Sequence, residues 1–157
     1  MKNINEVCDF VVFRLTGEGN ESLSHLKLQK ILFYIQSWHL AFDKQPLFDG
    51  KFQAWIHGPV NRTIYNRFKD SKYMYSSITM SDIQSDLTFP SLDQSDRDHI
   101  NAVLETYAQY SDVQLEKMTH DEKPWIDARD GFQPYERCEV EINESTMQSY
   151  YAARING

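Results

Sequence analysis

A chain of 157 residues is long enough for one core, and 41% hydrophobic with 25% charged residues is a soluble globular composition. A net charge of −7 argues against non-specific binding to nucleic acid, which needs a cationic face, and Lys27, Lys30, Arg62, Arg67 and Lys69 are interleaved with apolar positions. No apolar run approaches the ~18 residues of a membrane span, the N-terminus MKNINEVCDFVVFRL is too polar for a signal peptide, and the two distant cysteines, Cys8 and Cys138, read as reduced thiols, so a cytoplasmic protein forming one domain over 1–157 is expected.

In chain order, Asn3 to Leu15 reads as a first helix, with Asn3 or Asn5 as its cap and Ile4, Val7, Cys8, Val11 and Leu15 on one face. Thr16 to Glu21 reads as a loop, because two glycines and an asparagine do not hold a helix. Ser22 or Ser24 then caps a long helix over about 26–42. On a wheel, Leu28, Ile31, Leu32, Ile35, Trp38, His39 and Phe42 form a wide apolar stripe, and Leu26, Phe33 and Leu40 form a second. Polar slots separate the stripes: Gln29, Gln36 and Asp43 on one side, Lys30 and Ser37 on the other. Two stripes mean packing from two sides, which places this helix at the centre of a bundle.

Pro46 forbids continuation of that helix. Phe48, Phe52, Ala54 and Ile56 alternate, with Trp55 on the other side. This predicts a short hairpin, or two extended segments, around the turn-forming Asp49-Gly50. Gly58 then makes a corner and Pro59 opens a third helix whose face is Val60, Ile64, Tyr65 and Phe68. Residues 72–82, KYMYSSITMSD, could form another extended piece with Tyr73, Tyr75, Ile78 and Met80, and 85–90 reads as loop. Asp93 to Tyr110 is a helix capped by Ser95, with Ile100, Val103, Leu104 and Tyr107 as its stripe. Ser111 caps a short helix through Val113, Leu115 and Met118. Thr119 and Glu122 have capping-box spacing before Pro124, which opens another short helix carrying Trp125 and Ile126. Glu139 to Ile142 suits an extended segment, and Asn143 caps a last helix with Met147, Tyr150, Tyr151 and Ile155. The fold class is therefore mainly α: a compact helical bundle with a small β element.

No residue pattern carries recognisable catalysis. His25, His39, His57, His99 and His120 lack HxxxH or HExxH spacing, and neither cysteine belongs to a CxxC, so no metal or other cofactor is expected. His120-Asp121-Glu122 has the spacing of a deaminase HxE, but no PCxxC follows. Asp121/Glu122 and Asp127/Asp130 read as solvated carboxylates. The Gly58-Pro59 corner with Arg62 could hold an anion, although a plain helix corner is the simpler reading. Trp55, Tyr65, Tyr73 and Tyr75 could stack bases, but at this net charge core packing or a protein interface fits them better.

Three phrases taken together carry a resemblance: LKLQKILFYIQSWHLAF at 26–42, PLF…FQAWIHGPV at 46–60 running on to IYNRFK, and THDEKPW at 119–125. In these, and from about residue 4 to 151, the chain resembles the Panacea-domain, or SocA-like, antitoxin family. Leu28, Gln29, Lys30, Trp38, Trp55, Gly58, Pro59, Val60, Tyr65, His120, Pro124 and Trp125 match its signature positions, while Ile56-His57 stands where an aromatic before Gly-Pro is common. The resemblance implies a mainly helical domain with a small β element, acting as the antitoxin of a bacterial or prophage toxin–antitoxin pair. Such proteins neutralise a cognate toxin by binding it, and some hand it to a cellular protease; they are not known as enzymes. The partner face expected here is the aromatic corner of Trp55, Tyr65, Tyr73 and Tyr75, the other signature residues being structural. The alternatives are a regulatory adaptor without a toxin, or an enzyme on nucleotide or nucleic acid using His57 or His120.

Overall fold

A computed structural model describes residues 1–17 and 22–156. The loop expected over 16–21 lies, from residue 18 on, outside the described residues. Seven α-helices and one two-stranded sheet are present among the described residues: α1 (Ile4–Thr16), α2 (His25–Asp43), β1 (Phe52–Trp55), β2 (Gly58–Asn61), α3 (Arg62–Phe68), α4 (Gln94–Tyr107), α5 (Asp112–His120), α6 (Lys123–Ala128) and α7 (Glu144–Ala152). The helices start where short polar side chains can take the free N–H groups of the first turn. Asn3, Ser24, Ser111 and Asn143 each accept such a bond.

α2 is the centre, touching α1, α4, α5, α7 and β2. Its burial goes further than two stripes. The residues expected to fill polar slots, Gln29, Lys30, Gln36 and Ser37, are all fully buried. A buried amide or ammonium is tolerated only when its hydrogen bonds are met. Gln36 meets them by donating to Phe48 O and accepting from Leu47 N, so it stitches the chain leaving α2 back onto the helix. The stripe ends earlier than its periodicity suggests: Phe42 is 56% exposed and lines a surface groove.

Around α2 the core is ring-rich. Tyr34 stacks on Tyr107 with centroids 4.0 Å apart, and Phe33 meets Phe52 edge-on at 5.4 Å. Glu122 turns inward rather than to solvent. Its Oε1 accepts from the hydroxyls of Tyr34 (2.7 Å) and Tyr151 (2.8 Å), joining α2 to α7. Burial raises its pKa, against the lowering effect of those two bonds. On another side, buried Asp9 of α1 pairs with Arg67 of α3 at 2.5 Å. Its second oxygen accepts from Gln84 N, Ser85 N and the Ser85 hydroxyl, which fastens the 83–85 segment.

Several boundaries differ from the sequence reading. The strand register pairs Phe52 with Asn61 and Trp55 with Gly58, so the hairpin turns at Ile56-His57 and not at Asp49-Gly50. Pro59 lies inside β2, and α3 begins three residues later, where Asn61 caps it by accepting from Ile64 N. A proline is tolerated there because its partner Ala54 uses its groups elsewhere: Ala54 N donates to Val140 O, and Ala54 O accepts from Arg129. Val60 accordingly belongs to the strand. α4 is capped by Asp93, not Ser95, in a capping box with Asp96, and stops at Tyr107. Thr119 is not a cap; it is buried within α5 and donates to Glu116 O. Residues 73–78 form no strand. They run beside the start of α2, where His25 N and Leu26 N donate to Ser76 O and Met74 O. The extended segment expected at 139–142 is present as an edge against β1, with Ile142 N donating to Phe52 O.

Candidate partner-binding surface

The β1–β2 hairpin is held by side chains from three helices. From α2, Gln29 Oε1 accepts from Asn61 N (2.8 Å) while its Nε2 donates to Asn61 O (3.3 Å). One turn of helix thus pairs a backbone unit that a further strand would otherwise have paired. One residue on, Lys30 Nζ donates to Pro59 O at 3.0 Å. Burial brings Lys30 down to about 7, with the carboxylate of Glu116 opposing the shift. From α6, Trp125 Nε1 donates to Trp55 O (2.8 Å), and Arg129 just beyond it donates to Ala54 O (2.8 Å). From α5, Thr119 packs against the corner. A Cβ on Gly58 would lie 2.5 Å from Lys30 Cε and 2.9 Å from Thr119 Oγ1, and Gly58 has φ +106°. Only glycine fits this approach and this angle.

His25 is the second support of the clamp. Because Gln29 Oε1 is taken by a backbone donor, Gln29 Nε2 faces His25 Nε2, at 3.1 Å. That ring nitrogen must therefore accept, which fixes the neutral tautomer with the proton on Nδ1. Burial, helped by the charge of Lys30, pushes His25 down to about 4. The same ring stacks on Tyr65, with centroids 6.1 Å apart.

A groove of about 410 Å³ opens beside the hairpin, lined by Trp55, Ile56, His57, Val60, Arg62, Tyr65, Met74, Arg137, Cys138 and Glu139. Trp55 and Tyr65 meet edge-on at 4.8 Å, and the Arg62 guanidinium lies 5.0 Å over Trp55 and 5.7 Å over Tyr65. Met74 reaches the groove between Tyr73 and Tyr75, which are 84% and 62% exposed. Of the four aromatic residues singled out from the sequence, Trp55 and Tyr65 are walls of the groove, while Tyr73 and Tyr75 do not line it and are exposed on either side of Met74 in the chain.

The signature residues divide. Gln29, Lys30, Gly58, Pro59, His120 and Trp125 all bear on the hairpin; the rings of His120 and Trp125 stack at 4.0 Å. Val60 and Pro124 are buried near it, and Leu28 is buried in the core. Trp38 stands apart and donates to the hydroxyl of Tyr107. Sequence reasoning missed Arg129, Thr119, Arg137 and Glu139, whose partners are not near neighbours in sequence or whose residue type carries no spacing signal. Of the two histidines considered for catalysis, His57 is bonded to Glu116 at 2.6 Å, and His120 lies flat on Trp125 with burial lowering its pKa. Gly58-Pro59 presents no helix start to an anion, since α3 begins at Arg62. Among the described residues no group of three His, Cys, Asp or Glu is placed to hold a metal ion, and no helix is long and apolar enough to cross a membrane.

Fold and groove define a helical domain built around one clamped β-hairpin. The chain belongs to the antitoxin SocA-like, Panacea-domain family, which matches residues 28–126 and so takes in the central helix, the hairpin and most of α6. Among curated proteins it is 34% identical over 103 residues to Antitoxin SocA of Caulobacter vibrioides (strain NA1000 / CB15N), covering 62% of this chain and 55% of that protein. The chain spans about half the length of that relative. No solved structure matches it.

Proposed function

We propose that this chain is an antitoxin that neutralises a cognate toxin by direct protein binding, and that residues 1–157 act as one unit in doing so. The observation that carries the reading is family membership joined to the hairpin groove: half of the twelve signature residues bear on a hairpin beside a groove walled by Trp55 and Tyr65, with exposed Tyr73 and Tyr75 next to its lining residue Met74 in the chain. Large aromatic side chains on a rigid support are the usual energetic anchors of a protein interface. Tyr73 and Tyr75 have no packing duty that explains their exposure. The role needs no turnover, and His57 and His120 are read as structural partners of Glu116 and Trp125.

Co-expression with each neighbouring gene tests the reading. A neighbour that is toxic alone, rescue by this chain, and a co-purifying complex are the expected results. Rescue without a stable complex, lost in a host lacking a cellular protease, would identify proteolytic delivery as the route. The absence of any toxic neighbour would sink the antitoxin reading.

A further inference from the structure

We infer that the hairpin groove takes a segment of the partner carrying a bulky apolar side chain beside a carboxylate. The side chain enters between Trp55, Tyr65 and Met74, and the carboxylate bridges Arg62 and Arg137. This inference rests on the reading that a toxin docks on this face, and adds the chemistry of the docking segment.

Ligand pockets for whole small molecules run to ~300–1,000 Å³. At about 410 Å³ the groove is at the low end, suited to a large side chain and its neighbour rather than to an extended cofactor. Its walls are aromatic and aliphatic. Its charged rim is unusual for a chain of net charge −7. Arg62 Nη2 and Arg137 Nη2 both donate to the same oxygen of Glu139, at 2.5 and 2.8 Å. Two guanidiniums thus share one carboxylate at this edge of the groove, while Glu116, the carboxylate at the other edge, is taken up by His57.

The arrangement is also prepared for a second acceptor. Arg62 is steered by the rings beneath it, and Arg137 is 82% exposed with its remaining donors turned to solvent. Planar guanidinium forks match carboxylate oxygens in paired geometry. Because the Arg–Glu pairs here are partly solvated, their rearrangement around an incoming carboxylate costs little. The net negative chain attracts a basic partner at long range. An acidic contact at the rim of the groove then sets register, since a basic residue there would face two arginines.

The test is a titration of the whole protein with N-acetyl-Phe-Asp-amide and its isostere N-acetyl-Phe-Asn-amide, each also in the reverse residue order, read at the Trp55 indole N–H by NMR. The Asp peptides should bind about tenfold more tightly, the size of one charge-assisted contact. Arg137→Gln, an exposed change that spares the fold, should remove most of that preference. Equal binding of Asp and Asn peptides, or a preference indifferent to Arg137→Gln and Arg62→Gln together, would overturn the inference. Toxin binding is read separately with Tyr73→Ser/Tyr75→Ser. Lost peptide preference with a Tyr-sensitive toxin complex refutes the carboxylate chemistry and leaves the docking face standing. An intact preference with a Tyr-insensitive toxin complex supports the groove chemistry and refutes the docking face.

Discussion

Two aromatic grooves mark the surface of this molecule, and they are built differently. One lies beside the hairpin. The other, about 290 Å³, lies between α2 and α4 and is lined by Trp38, Phe42, His99, Val103, Tyr107 and Ile155, among others. In the second groove Phe42 is 56% exposed, and the polar bonds of its lining residues to α2 or within it are Trp38 Nε1 to the Tyr107 hydroxyl and His99 Nε2 with Ile35 O. The hairpin beside the first groove is held by buried or part-buried polar bonds from α2 and α6 and by the packing of Thr119 from α5. Exposed rings alone therefore do not distinguish a binding face. What distinguishes the hairpin groove is the set of buried side-chain bonds from Gln29, Lys30 and Arg129 that fix the hairpin's backbone.

Gly58→Ala should do most to break the distinction. It combines a positive φ with a contact 2.5 Å from Lys30, and a loss of about 3–4 kcal/mol in unfolding free energy is expected by denaturant titration. Gln29→Leu should follow closely. It leaves the buried N–H and C=O of Asn61 unpaired, for about 3 kcal/mol, and faster hydrogen exchange at Asn61 should localise the damage to the hairpin.

Acid should loosen the same clamp. His25 is lowered from its ordinary 6.5 to about 4, so between those values the unfolded chain binds more protons than the folded one. Stability then falls as pH drops from about 6.5 to about 4, by up to about 3 kcal/mol from this group. His25→Phe should flatten that part of the curve. At the mild end, Tyr73→Ser/Tyr75→Ser should alter unfolding free energy by less than about 0.5 kcal/mol, while Phe42→Ser in the second groove should alter neither stability nor toxin binding appreciably.

Much of this was legible in the chain, for reasons that mark where legibility ends. α1, α2, α5 and α7 announce themselves by local periodicity and by caps a few residues away, and α6 by the proline in its first turn. The hairpin was visible as alternation, but Asp49-Gly50 outbid the true turn at Ile56-His57 because Gly58, just after it, supplies the positive angle. Pro59 suggested a helix start because nothing local reveals that Ala54 bonds elsewhere. Gln29 and Lys30 read only as polar slots between two stripes, because their partners, Asn61 and Pro59, lie about thirty residues away. In the groove, Trp55 and Tyr65 stood out by residue type. The Arg62–Glu139 pair spans 77 residues and left no trace in either neighbourhood.

The central claim is that the hairpin groove, and not its counterpart between α2 and α4, receives the toxin. The most direct measurement is the affinity of the toxic neighbour's product, by calorimetry, for Tyr73→Ser/Tyr75→Ser and for Phe42→Ser at matched melting temperatures. A loss of about thirtyfold or more in the tyrosine variant, with Phe42→Ser unchanged, is the predicted result. Undiminished binding by the tyrosine variant, or a loss confined to Phe42→Ser, would contradict it.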